Sequence, residues 1–100
     1  MILRYTLPAL ADLNSILDHI AADSPHGAKR VQRRIQGVID LLLAHPNIGI
    51  RTDDPIIRRL TTSPYPFLVF YEVTEEEIII HAVRHAARDP QGMPGSTART

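Results

Sequence analysis

The chain has 100 residues, 44% of them hydrophobic and 22% charged, with Lys+Arg and Asp+Glu equal at 11 each. These totals fit one globular domain and exclude a disordered or fibrous chain. Zero net charge predicts no general affinity for nucleic acid. The absence of cysteine removes disulfides and thiolate metal sites and fits a reducing compartment. No apolar run approaches the ~18 residues of a membrane span, and Met1 leads straight into a strand-like stretch without a basic leader. A cytoplasmic location away from membranes is the expectation.

In chain order, Ile2 to Thr6 are β-prone and predict a short first strand. Pro8 suits the first turn of a helix, where its missing N–H costs nothing. Leu10, Leu13, Ile16, Leu17 and Ile20 then recur at helical spacing and predict an amphipathic helix of about four turns. Asp23-Ser24-Pro25 ends it, and Ser24 with Pro25 supplies a cap and first residue for a second helix. Ala28, Val31, Ile35, Val38, Ile39, Leu42 and Leu43 mark the inner face of that helix. Lys29, Arg30, Arg33 and Arg34 crowd its other side and read as a solvated face. Gly37 reads as a close approach of the two helices, and Pro46 stops the second one. A short turn between the helices predicts an antiparallel hairpin.

Asn47 to Pro55 reads as a loop and Ile56 to Thr62 as a strand carrying Arg58 and Arg59. Ser63-Pro64-Tyr65-Pro66 breaks it before a dense strand, Phe67 to Val73. Thr74 to Glu77 make a turn, and Ile78 to Arg84 form the last strand. The hydrophobicity of these two strands predicts central positions in the sheet. Residues 91–100 read as a flexible tail after a single domain spanning 1–90. The order β-α-α-β-β-β predicts an α+β fold, with an N-terminal helical hairpin packed on one face of a mainly antiparallel sheet.

No nucleophile motif or phosphate-binding glycine loop is present, and no cofactor is expected. His81 and His85 would lie about 13 Å apart on one strand, too far to share a zinc ion, so no metal site is expected. His81 reads as a partly buried sheet residue and His85 as the strand's exit. Acidic Asp53-Asp54 and Glu75 to Glu77 read as solvated turns. The arginines carry the remaining chemistry. Arg58 and Arg59 face opposite sides of the sheet, and one of them is expected to share a face with Arg84, with Arg88 at its rim. Such a cluster would attract phosphate or carboxylate; the alternative is ordinary surface arginines paired with Glu72 and the acids of the loops.

The ordered pattern resembles the RelE/ParE superfamily of bacterial type II toxins, and closest to ParE. Pro8-Ala9-Leu10-Ala11-Asp12-Leu13-Asn14-Ser15-Ile16 is similar to that family's opening helix. Leu42-Leu43-Ala44-His45-Pro46-Asn47-Ile48-Gly49 is similar to the end of its second helix. Arg58-Arg59-Leu60, the strand Tyr65 to Val73 and the closing Val83-Arg84-His85-Ala86-Ala87-Arg88-Asp89-Pro90 complete the match. The resemblance implies a toxin held in check by a cognate ParD-like antitoxin, with operator DNA reached only indirectly through that antitoxin. RelE-like members cut mRNA on the ribosome with a basic cluster and an acid–base residue. ParE-like members lack that set and poison DNA gyrase.

For the nuclease reading, Arg58, Arg59, His85 and Arg88 would be the catalytic candidates. Leu68, Val69 and Phe70 stand where nucleases place a further arginine, however, and no Tyr or His follows Arg88 to supply a proton. RNA cleavage needs a base, an acid and phosphate stabilisation together. The incomplete set favours the ParE-like, non-enzymatic reading, with gyrase as target. Arg58, Arg59, Tyr71, Arg84, His85, Arg88 and Asp89 are its expected contact residues; ribosome and mRNA are the target of the alternative.

Overall fold

A computed structural model describes residues 1–87. The tail expected at 91–100 lies outside them. Strand β1 (Ile2–Tyr5) leads into helix α1 (Leu7–Asp23), then helix α2 (Pro25–Ala44). Strands β2 (Ile50–Arg51), β3 (Arg58–Thr62), β4 (Tyr65–Val73) and β5 (Glu77–His85) follow. They form one five-stranded sheet in the order β1-β5-β4-β3-β2. The β1–β5 pairing is parallel and the other three are antiparallel.

Both helices begin at hydroxyl caps, the expected one at Ser24 and another at Thr6, which the sequence reads as strand. Thr6 Oγ1 accepts the Ala9 N–H of α1, and Ser24 Oγ accepts the Gly27 N–H of α2. Each bond satisfies one of the N–H groups a helix start leaves open. Pro25 occupies the first turn of α2, as Pro8 does that of α1. The inner stripe of α2, including Val31, Ile35, Ile39 and Leu42, packs with Ala9 against Val69, Tyr71 and Ile80 of the sheet. Each such aliphatic side chain withdrawn from water contributes ~1.5–3 kcal/mol. The helical hairpin therefore lies on one face of the sheet, as expected.

Several details depart from the sequence reading. Leu43 is exposed rather than inward, and Glu77 opens β5 and forms an ion pair with Arg4 rather than standing in the turn. Gly37 is exposed, and a Cβ there would meet nothing within 4 Å, so it marks no close helix packing. The loop after α2 contains the two-residue strand β2, whose Ile50 and Arg51 pair with Arg59 and Arg58. Strand β3 starts at Arg58 rather than Ile56. Before it, Thr52 Oγ1 lies 2.9 Å from the Ile57 carbonyl and accepts the Asp54 N–H, winding 52–57 into a turn. Strand β4 begins at Tyr65 despite Pro66. A register shift at Thr61/Thr62 lies opposite that proline, where a residue without an N–H is tolerated.

Strands β4 and β5 occupy interior positions of the sheet. Phe67, Val69 and Tyr71 face the helices; Leu68 and Phe70 face away, and pack with Ile57 and Ala82 in a second, smaller cluster. A bulge interrupts the β4–β5 ladder. Phe70 pairs with Ala82 and Tyr71 with Ile80, which leaves His81 as an extra residue on β5.

Candidate functional site at the end of the last strand

Strand β1 covers the edge of β5 only from Glu77 to Ile80. Beyond that point the chain turns into α1, and side chains take over the work of a neighbouring strand. Thr6 Oγ1 lies 3.4 Å from the His81 carbonyl, and Asp12 Oδ2 accepts the Val83 N–H at 3.1 Å. The same Asp12 oxygen is 3.4 Å from Arg84 Nε. One half-buried carboxylate thus fixes both the strand edge and the direction of Arg84. Leu68 is opposite Arg84, so that arginine stands on the face without helices.

His85 pairs with Phe67 and points to the helical side. Its ring meets Phe67 edge-on, with centroids 5.5 Å apart and planes at 89°. Nδ1 accepts the Ala87 N–H at 3.2 Å, so the neutral ring carries its proton on Nε2. Ile16, Ile20 and Phe67 floor a cleft of about 310 Å³ here, rimmed by Ser15, His19 and His85. Among the described residues it is lined by neither an arginine nor a carboxylate. Its apolar floor suits an inserted side chain.

The other expected residues lie elsewhere. Tyr71 is 0% exposed, so it is withdrawn from any direct target contact. Its hydroxyl donates to the Pro46 carbonyl at 2.9 Å and accepts the Gly49 N–H at 2.8 Å. Burial raises the Tyr71 pKa above the usual phenol value, with the Gly49 bond and the nearby Arg58 charge pulling the other way. Arg58 is opposite Tyr71 on the helical side, and its Nη1 donates to the Gly49 and Asn47 carbonyls at 2.9 and 3.3 Å. Tyr71 and Arg58 together clamp the loop after α2. Arg59 is opposite Phe70 and exposed on the helix-free face.

Of the two neighbouring arginines, then, Arg59 shares a face with Arg84 and Arg58 does not. By strand geometry the Arg59 and Arg84 Cα atoms are roughly 12 Å apart, and Arg58 is roughly 16 Å from His85. Arg88 and Asp89 lie outside the described residues.

Two pairings escaped the sequence reading. Glu72 Oε1 lies 2.8 Å from His81 Nε2, joining neighbouring strands across the bulge. Asp12 enters the sequence reading only as one residue of the motif from Pro8 to Ile16, with no role. Its signal was position: with Ala9 three residues before and Ile16 four after, it falls on the inward face, where a lone carboxylate needs a partner.

Against this geometry the comparisons with known proteins agree on one class, the small toxins of type II toxin–antitoxin systems. The model of the ParE toxin family of the parDE type II toxin–antitoxin system matches residues 3–90, and the chain belongs to that family. It is 37% identical over 84 residues to the toxin RelE2 of Caulobacter vibrioides, covering 84% of this chain and 93% of that protein. Among solved structures it is similar to a chain of the chromosomal ParDE toxin–antitoxin system from P. aeruginosa. There the TM-score is 0.72 at 30% identity, over 85% of this chain and 95% of that one. Both names fall within the RelE/ParE superfamily.

Proposed function

We propose that this toxin inhibits DNA gyrase by protein contact, without a reaction of its own, and that a cognate ParD-like antitoxin neutralises it in the cytoplasm. The observation carrying the non-enzymatic half is the scatter of the polar residues. Arg58 is spent on a loop, Arg59 and Arg84 stand on one face of the sheet, and His85 stands on the other. Acid–base cleavage of RNA requires such groups to converge within hydrogen-bond reach of one phosphate. A protein contact needs no convergence. Family membership and the ParDE structural relative support the antitoxin as partner.

The test is a gyrase supercoiling assay with the purified, folded chain, with and without its antitoxin. Reduced supercoiling or trapped cleaved DNA, reversed by antitoxin, is expected. Full supercoiling at micromolar toxin refutes the proposal. The RelE name of the Caulobacter relative makes mRNA integrity the parallel measurement. Codon-positioned cuts in translated mRNA, lost in Arg88→Ala, would assign the interferase activity instead.

A further inference from the structure

The first half of α2 carries a feature that the gyrase reading leaves unused. Lys29, Arg30, Arg33 and Arg34 are all exposed, within six residues of a chain whose net charge is +0. Arg34 Nε donates to the Ser63 carbonyl at 2.7 Å, which ties that side chain to the β3–β4 turn. Among the described residues, Lys29, Arg30 and Arg33 make no ion pair or side-chain hydrogen bond. In sequence the flanking carboxylates, Asp23 and Asp40, fall beyond the two ends of the patch, and Asp40 already accepts from Gln36.

Helical spacing arranges these cations in two rows, Lys29 with Arg33 and Arg30 with Arg34. Each pair is roughly 6 Å apart along the axis. Gln32 and Gln36 complete a shallow depression with Lys29 and Arg33, adding neutral amide donors.

The composition of the patch decides between acidic partners. A protein surface gains most of its affinity from a few buried apolar or aromatic anchors. This face has none: the apolar residues of the segment, Ala28, Val31 and Ile35, are turned into the core. Every large exposed hydrophobic side chain of the described residues lies outside 25–36. A phosphodiester backbone needs no anchor, because its binding is driven by charge neutralisation and counterion release. From this geometry we infer that the basic face of α2 is a sequence-independent contact surface for a nucleic-acid backbone. That departs from the expectation that DNA is reached only through the antitoxin. It does not depend on gyrase being the target.

Fluorescence anisotropy of labelled mixed-sequence duplex DNA with the purified chain tests the inference, with no gyrase present. Binding in the range of ~10⁻⁴–10⁻⁶ M at physiological salt, steepening as salt falls, is expected. The log–log salt slope should drop by about 1 in Arg33→Gln and about 2 in Arg30→Gln/Arg33→Gln, close to 0.9 per lost contact. Arg51→Gln removes an exposed charge elsewhere and should leave the slope unchanged. Circular dichroism melts confirm that the variants fold; the altered side chains touch nothing in the core.

Single-stranded RNA bound through the same residues supports the inference and identifies the strand type preferred. Absence of binding at low salt, or a slope unchanged in the double variant, overturns it. So does polyglutamate binding more tightly than either nucleic acid through the same arginines, which would make the partner an acidic protein. Each of these failures leaves the gyrase assay unaffected.

Discussion

Replacing Tyr71 by phenylalanine separates a structural tyrosine from one that meets a target. The substitution keeps the ring in the core and removes only the hydroxyl, which bonds the Gly49 N–H at 2.8 Å and the Pro46 carbonyl at 2.9 Å. The Gly49 bond is buried, and an orphaned buried donor costs ~1–3 kcal/mol. The Pro46 carbonyl is partly accessible, and loss of its bond adds about 0.5–1 kcal/mol. A total of about 1.5–4 kcal/mol lowers the melting temperature of a domain this size by roughly 6–30 °C. Thermal and urea melts followed by circular dichroism measure it, with the urea m-value unchanged. Growth inhibition well below the melting temperature should persist. A fall under ~3 °C would refute the hydrogen-bond reasoning. Lost toxicity in a fully stable variant would show that Tyr71 acts on the target after all.

Asp12→Ala leaves the Val83 N–H without its acceptor and removes the carboxylate beside Arg84, at a cost of ~1.5–3 kcal/mol for charge-assisted bonds. Asp12→Asn, which keeps a carbonyl oxygen for Val83, should recover part of that stability in the same melts; no recovery would place the loss in the ion pair alone. Tyr5 and Tyr71 both have raised pKa values, chiefly through burial, with the Asp40 charge adding to the effect on Tyr5. A raised folded pKa means the unfolded chain releases the proton first, so this stability is complete below pH ~10 and lost as pH rises through the folded values. Urea midpoints should therefore fall on the alkaline side of pH ~10, and less steeply in Tyr71→Phe.

Local signals were legible in the sequence and distant pairings were not. Ser24-Pro25 announced the start of α2 because a cap and its N–H group are three residues apart. The stripe from Ala28 to Leu42 announced its buried face for the same reason of short range. β2 left no trace, since two residues cannot show an alternating pattern and its pairing is set by Arg58 and Arg59. The parallel partnership of β1 with β5 joins Ile2 to Glu77, and no local rule reaches that far. The expected contact residues mixed two kinds of polar group for the same reason. Nothing within a few positions of Tyr71 or Arg58 reveals that both are consumed by a loop more than eight residues away.

The extra residue His81 in β5 acts as a parity switch. Side chains alternate along a strand, so when one residue is looped out everything after it faces opposite to what unbroken alternation would give. Were His81 paired in unbroken register instead of bulged out, Arg84 would turn toward the helices and His85 away from them. The bulge is what gives the end of the strand a cation on its open surface and an imidazole over the α1 cleft; pairing straight through His81 would exchange the two, whereas deleting His81 would keep both facings.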